Sequence, residues 1–570
     1  MARRRAAAVE DPHDEIIAEY RARLGRPAPP PEKWRWPPVL IGPTWQRAPD
    51  GLWALPDRTI GWDVLGWCGR WLQHSTGRPW RFTDEQARFV LWWYAIDEEG
   101  RWLFVDGVLQ RLKGWGKDPL AACLCAVEAF GPCRFGGWAE DGSPVAVDEP
   151  AAWVQTAAVA QQQTKNTTRL FPSLFTREAI EQYRIQVGVL QVHGLGDSRL
   201  IEAVTSSPTV LEGARATAVL RNETQHWTAS NAGHGMADVI ERNGAKSDGG
   251  GARSLAITNA YEPGGDSAAE RDRDAWEDVQ AGKAVDTGLL YDSVEAHPDA
   301  PLSAEHAAEV VESIRGDSVW LDLDRIRKSI LDRRNAPSRS RRFWYNQIVA
   351  AEDAWVAPAE WDRQADPAVT PADGALVTLG FDGSKTDDDS ALMGCDVETG
   401  NVFTVDVWQA DGTDGWEVDR AAVDLAVRRA FDRYDVVGFY SDVHPWESYV
   451  DLWASDLGGD LCVKATPRQP VGWDMRARGK EFTGACERFL AGVVEREIAH
   501  DGDVRVRRHA HNARRRPNPW GVSIGKEHRE SQKKIDAMPA AILARLARQE
   551  YVVLPEARKR KKKRSGRMWW

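Results

Sequence analysis

Asp382 in LVTLGFDG, Asp442 in VVGFYSD and Asp536 in KKIDAMPAAILARLA are the residues of this chain best placed to do chemistry. The first two end apolar stretches of strand character, and the third opens a stretch of helix character. Carboxylates delivered in that order can gather at one edge of a sheet, where they could hold two divalent metal ions. Paired ions about 3.5–4 Å apart activate water and steady the leaving oxygen of a phosphodiester. Taken singly, each acid has an ordinary reading; an aspartate at a helix start, for example, is favoured by the helix dipole. Asp387, Asp388 and Asp389 in the turn after Asp382 read as solvated. Lys526, His528 and Glu530, upstream of Asp536, read either as site-lining or as surface residues.

A second constellation lies in the N-terminal half. LQRLKGWGKDPLAA (109–122) follows a predicted strand and opens a predicted helix. Backbone N–H groups of a Gly-rich turn at a helix N-terminus are suited to an anion. Here Lys113, Gly114, Gly116 and Lys117 would form the cradle, with Lys117 reaching the β- and γ-phosphates of a nucleotide and Gly116 allowing close approach. Asp118 stands where a Ser or Thr usually holds Mg²⁺. The same loop also reads as a solvated basic turn. ATAVLRNETQHW (216–227) is an apolar strand ending in Asn222-Glu223. Strand ends of this kind supply a metal contact and a group that orients water; Asn222 replaces the usual Asp, while Glu223 remains available to polarise water. Gln86, on a predicted helix upstream, is a candidate partner for an adenine edge.

The elements that must position these groups follow from periodicity. A helix is predicted from Thr83, where Thr83 and Gln86 have capping-box spacing and Ala87, Val90, Leu91 and Tyr94 share a face. From about 100 to 260, apolar strands (WLFVDGVLQR, AAWVQTAAV, ATAVLRNE, SLAITNA) alternate with helices, the pattern of a mainly parallel sheet. Residues 1–35 read as a helical or disordered leader, 36–75 as an irregular packed extension and 264–335 as charged and helix-rich. From 375, ALVTLGFDG, SALMGCDVE and NVFTVDVWQ read as three consecutive antiparallel strands, followed by a helix, the strand VVGFYSD and further helices. The expected organisation is an α/β chain: extension 1–75, a P-loop-like domain 76–342 with a mainly parallel sheet, linker 343–374, a second α/β domain 375–552 and a basic tail 553–570.

Bulk properties bound the remainder. At 570 residues the chain exceeds one hydrophobic core, so two large domains are expected. No apolar run approaches the roughly 20 residues that span a bilayer, and the N-terminus lacks the apolar core of a signal peptide. The seven cysteines show no paired CxxC spacing, which points to free thiols, with Cys123 and Cys125 buried, rather than to disulfides or zinc. A net charge of −11 argues against nucleic-acid binding over the whole surface, yet 505–517 and 557–567 are strongly basic and suited to phosphates, or simply to solvation. Most of the 28 tryptophans are expected in the core.

With these residues in hand, the chain resembles a tailed-bacteriophage terminase large subunit over roughly 80–550. The run Lys113 to Lys117 resembles that family's variant phosphate loop, LRNETQHW its second ATPase motif, Ser254 to Ala260 its coupling motif, and FWYNQIVAAEDAWV its inter-domain linker, with Asn346 and Trp355 as markers. Asp382, Asp442 and Asp536 fall where the family's RNase H-like nuclease holds its metal ions. The resemblance implies ATP-driven translocation of double-stranded DNA into a capsid and cutting of concatemeric DNA with Mg²⁺ or Mn²⁺. It also implies relay of hydrolysis through Thr258 to Ala260, a terminase small subunit and a portal protein as partners, a homo-oligomer on the portal, and work in the cytoplasm of an infected bacterium. Arg111 is a candidate arginine finger. Two rivals are a cellular helicase–nuclease or resolvase-like enzyme, and a structural DNA-binding protein with degenerate sites.

Overall fold

In the computed structural model, residues 12–27, 33–205, 211–247, 251–349, 353–384, 388–410, 416–527, 531 and 533–560 are described. Asp387, His528, Glu530 and residues 561–567 of the basic tail, all singled out in the sequence, lie outside these. The chain forms two compact units, residues 1–262 with 266–349, and residues 263–265 with 350–570. Among the described residues no helix is long and apolar enough to cross a membrane.

The first unit is built on strands β1 (Val39–Ile41), β2 (Asp106–Gln110), β3 (Pro132–Trp138), β4 (Pro144–Asp148), β5 (Trp153–Ala158), β6 (Gln186–Val187), β7 (Gln191–Gly194), β8 (Arg199–Thr205), β9 (Ala218–Asn222), β10 (Arg253–Thr258) and β11 (Leu289–Glu295). Nine of them form one sheet in the order β1-β11-β2-β10-β9-β5-β8-β7-β6, and β3 and β4 pair separately. Strands β11, β2, β10, β9, β5 and β8 run parallel. β1 closes one edge antiparallel, and the β7–β6 hairpin the other. All of β10 is buried, as expected for a parallel strand covered on both faces.

Four helices of this unit bear on the sequence expectations: α1 (His13–Leu24), α2 (Gly61–Trp71), α3 (Asp84–Trp93) and α4 (Lys117–Phe130). α3 opens with the expected reciprocal capping box between Thr83 and Gln86. The stretch 36–75, expected to be irregular, instead supplies β1 and α2. Three residues are too few to show strand alternation, and GWDVLGWCGRW reads as glycine-broken. Its glycines serve packing instead: a Cβ on Gly66 would lie 2.6 Å from His13 Nε2 and one on Gly69 2.8 Å from the Ile16 side chain. Helix α1 therefore lies close against α2, burying Ile16, Tyr20 and Leu24. Strand β11 was also hidden, because LLYDSVE carries two acids; Asp292 is fully buried against Arg111.

The second unit carries β12 (Leu376–Asp382), β13 (Ser390–Asp396), β14 (Val402–Trp408), β15 (Asp435–Ser441), β16 (Arg514–Asn518) and β17 (Gly521–Gly525). Its main sheet has the order β14-β13-β12-β15. The first three strands are antiparallel neighbours, and β15 joins β12 in parallel. The helix Ala537–Val552 lies along β12, and all of its first eleven residues are buried. Small side chains allow that approach, and Gly380 requires it: a Cβ there would overlap the Ala540 carbonyl oxygen and come within 2.5 Å of Ala544 N.

The basic run 505–517 is not the open cationic surface its composition suggests. Val504–Asn512 is a helix and Arg514–Asn518 a strand. Arg505 pairs with Asp503 and Asp406, Arg507 and His511 with Asp362, and Arg514 is buried. The partners lie up to 150 residues away, so local charge counting misses them.

Gly380→Ala is expected to destabilise the second unit by about 3 kcal/mol or more, because backbone rather than a pliable side chain blocks the added methyl. Thermal melting should show an early transition, and limited proteolysis should cut selectively within 350–560.

Candidate functional site

In the first unit, Gln110 of β2 lies opposite Thr258 of β10, and Ile257 opposite Asn222 of β9. The segments following these strands therefore emerge together. Gly114 and Gly116 adopt positive φ (85° and 107°), and Gly116 caps α4, with Lys117 its first residue. Lys117 Nζ donates to the carbonyls of Arg111 (2.9 Å) and Leu112 (3.1 Å). Burial pushes its pKa down to about 8, partly countered by Asp118 and Glu223. Lys113 and Gly114 are exposed, and the Lys113 ammonium lies over the Phe343 ring.

Asp118, in the first turn of α4, has a raised pKa. Burial is the main cause and Glu223 adds to it, while Lys117 and a hydrogen bond from Asn222 oppose it. The two residues that depart from the common phosphate-site pattern thus face each other. Asn222 is buried; its amide nitrogen donates to the Gln163 carbonyl and the Thr167 hydroxyl, and its Oδ1 accepts no hydrogen bond. Glu223 is half-buried at φ +54°, a conformation unfavourable for a residue with a Cβ, and its N–H is held by the Ile257 carbonyl.

Thr258 and Asn259 tie these parts together. Thr258 Oγ1 donates to Gln225 Oε1 at 2.7 Å, and Asn259 Nδ2 to the Arg111 carbonyl at 2.7 Å, the same oxygen that Lys117 engages. Ala260 N donates to Asn346 Oδ1 at 3.1 Å. Asn346 in turn donates to the Val294 carbonyl at 2.9 Å.

Gln86 uses Oε1 in its capping box, while its Nε2 lies against Gly116. The guanidinium of Arg111, the candidate arginine finger, is wholly buried and paired on both sides by Glu85 and Asp292, which favours a structural role.

In the second unit, the parallel pairing of Phe381 with Ser441 sets Asp382 beside Asp442, whose N–H donates to the Phe381 carbonyl at 2.9 Å. Asp536 arrives over the end of β12 because its helix lies on Gly380. Asp442 and Asp536 are only 8% and 7% exposed. Part of Asp382 remains open to solvent, yet its surroundings are dense. Burial, then the charges of Asp536, Asp442 and Asp388, raise its pKa far above the carboxylate range. Asp536 is pushed up to about 6 by burial and Asp388. Asp442 is raised by burial, while the Met475 N–H at 3.0 Å pulls it back.

Around this trio lie groups the sequence read differently, as solvated or surface residues, or did not single out. Asp389, expected to be solvated, is buried: it accepts from His509 Nε2 at 2.9 Å and from Ala410 N. His509 Nδ1 accepts the Ala537 N–H at 2.9 Å, so this histidine fixes the start of the helix that carries Asp536. The fixed acceptor makes Nε2 the protonated nitrogen, donating to Asp389. Asp388 pairs with Lys526 and, at 3.2 Å, with Lys534. Burial disfavours the Lys526 ammonium, but Asp536 and Asp388 outweigh it and raise its pKa.

The donor chemistry of the trio fits hard divalent cations: all oxygen, negatively charged and mutually repelling. The geometry is not a finished cage. Among the described residues, no three Asp, Glu, His or Cys side chains converge closely enough to hold an ion.

No family model matches the chain. Its curated relatives include the Gene 13 protein of Mycobacterium phage D29, 43% identical over 584 residues and covering 93% of this chain and 98% of the relative. The Gene 13 protein of Mycobacterium phage L5 is 42% identical over 592 residues, covering 94% and 98%. Among solved structures, the crystal structure of the HK97 bacteriophage large terminase matches 85% of this chain and 99% of its own at 15% identity, with a TM-score of 0.45.

The crowded carboxylates predict a pH dependence. A folded-state pKa of about 6 for Asp536, against about 3.9 unfolded, contributes stability that is present below about pH 4 and lost as pH rises through 6. In chelator, Asp536→Asn should lack that loss and melt a few degrees above the parent at pH 7. The two should converge near pH 4. Equal melting curves for parent and variant at every pH would contradict the repulsion.

Proposed function

The chain belongs to the family of the mycobacteriophage Gene 13 proteins, and we propose that it is a DNA-packaging motor and nuclease of the terminase large subunit class. What supports this reading is the placement of Asp382 beside Asp442 at one sheet edge, with Asp536 near enough to raise the Asp382 pKa, in a chain that also holds a Gly-x-Gly-Lys turn at a helix N-terminus. Acids brought together with little compensating charge are more typical of a cation and phosphodiester site than of a stabilising core.

In the first unit, the turn from Gly114 to Lys117 and the start of α4 bind the phosphates of ATP. Lys117 leaves the Arg111 and Leu112 carbonyls to reach them. Glu223 orients the attacking water from its fixed backbone position. Mg²⁺, when bound with the nucleotide, neutralises phosphate charge. The usual arrangement places a hydroxyl on the phosphate helix and a carboxylate on the neighbouring strand. Here Asp118 and Asn222 reverse those roles, so the pair retains one carboxylate and one neutral side-chain oxygen, and Asn222 Oδ1 is free to accept. A change at the water held by Glu223 would reach Thr258 through Gln225, two residues further along the chain, and Asn346 through Ala260.

In the second unit, Asp382, Asp442 and Asp536 would hold Mg²⁺ or Mn²⁺, which supply an activated water and stabilise the leaving oxygen. The helix seated on Gly380 and capped through His509 keeps Asp536 in position. Lys526 offsets part of the charge. Contact with DNA is through phosphates, so affinity falls steeply with salt. A small terminase subunit, a portal protein and further copies of this chain complete the machine in the infected cell.

Asp382→Ala is expected to lower Mn²⁺-dependent plasmid cutting by at least a hundredfold and to leave ATP turnover intact. Lys117→Ala should do the reverse, by the 10²–10³-fold typical of removing one charge-stabilising donor. Loss of both activities in either folded variant would count against two separate engines. In the reversed pair, Asp118→Ser alone should weaken Mg²⁺-dependent ATP binding, and Asp118→Ser with Asn222→Asp should recover most of it. A double variant no better than the single one would refute the exchange.

A further inference from the structure

Among the described residues, Trp320 is a large, exposed aromatic beside the loop that neither the sequence motifs nor the mechanism uses. Its side chain is 53% exposed, unusual for an indole held in a fixed place. Indole Nε1 donates to the Gly114 carbonyl at 3.0 Å, and its ring edge lies 3.1 Å from the position a Cβ would take on Gly116. The Gln86 amide nitrogen lies 3.3 Å from the same point. Nearby anchors fix the segment: Ser318 Oγ donates to the Trp115 carbonyl at 2.8 Å, and Leu321 packs against Gly114. A flat, half-open aromatic surface and a carboxamide thus flank one bare glycine, immediately before the lysine that meets phosphates.

Each component has a place in purine recognition. An aromatic face stacks on a base through its π-surface, and a side-chain amide can meet the hydrogen-bonding edge of adenine. Gln86 spends its oxygen in the helix cap and leaves the amide nitrogen facing the loop, so shape and stacking must supply much of the base affinity. We propose that Trp320 is the stacking platform for the nucleotide base, with Gln86 at its edge. This inference rests on the reading of residues 113–118 as a nucleotide site and adds to it the residue that selects a base-bearing ligand over bare polyphosphate. The hydrogen bond to Gly114 sets the ring's orientation, and Gly116 admits it because it has no side chain.

The test compares ATP with inorganic tripolyphosphate, which carries the charges without the base, by titration calorimetry on the full chain. Trp320→Ala should weaken ATP binding roughly 5- to 150-fold, the range for losing one stacked base. Tripolyphosphate affinity should stay within about twofold. Trp320→Phe, which keeps a stacking face but loses the Gly114 hydrogen bond, should retain most ATP affinity. Equal weakening of both ligands by Trp320→Ala would make Trp320 a mere support of the loop, and unchanged ATP affinity would remove it from the site; either result overturns the proposal. A parent chain that bound neither ligand would overturn the nucleotide reading itself, an outcome distinct from both.

Discussion

Strands β2, β10 and β9 run parallel, and so do β12 and β15; parallel neighbours end at the same edge of a sheet. That constraint organises both candidate sites. Residues that follow such strands meet without reaching, whatever their distance in sequence. Lys117 follows β2, Glu223 follows β9, and Thr258 ends the strand between them. In the second unit Asp382 and Asp442 are adjacent for the same reason. Only Asp536 arrives by other means, on a helix whose backbone lies against Gly380. The methyl group missing from that glycine is what brings the third carboxylate to the edge.

The charges held there explain much of the surrounding architecture. Asp536, Asp442 and Asp388 raise the proton affinity of Asp382, and Asp388 that of Asp536; the chain meets this with Lys526, with the Met475 N–H, and with a buried His509 that organises the helix start. These contacts hold the acids in place without neutralising them. Arg111 in the first unit has the opposite design: its charge is matched on both sides by Glu85 and Asp292, which makes it structural. Fully matched charge marks the scaffold here, and crowded acids mark the candidate site.

Much of this was legible in the sequence, for identifiable reasons. Strand ends marked by an acid, the Gly-x-Gly-Lys turn and the Thr83–Gln86 cap are local patterns, and local patterns survive in a linear reading. The missed features depend on distant partners. His509 and Asp389 lie 120 residues apart, so the histidine reads as part of a basic run and the aspartate as part of a solvated turn. Arg111 looks available until Asp292, on a strand disguised by its own acids, is placed beside it. Trp320 is one of 28 tryptophans and has no motif; only its position over the loop sets it apart. The glycines of α2 read as helix breakers because the helix that needs them lies some 50 residues earlier.

The seating of Lys117 has a consequence for the proposed nucleotide site. With its ammonium on two main-chain oxygens, the loop carries its own internal partners. An anion drawn to this lysine would have to trade two existing bonds for new ones. On the proposed reading, that trade would favour quick exchange over tenacious capture.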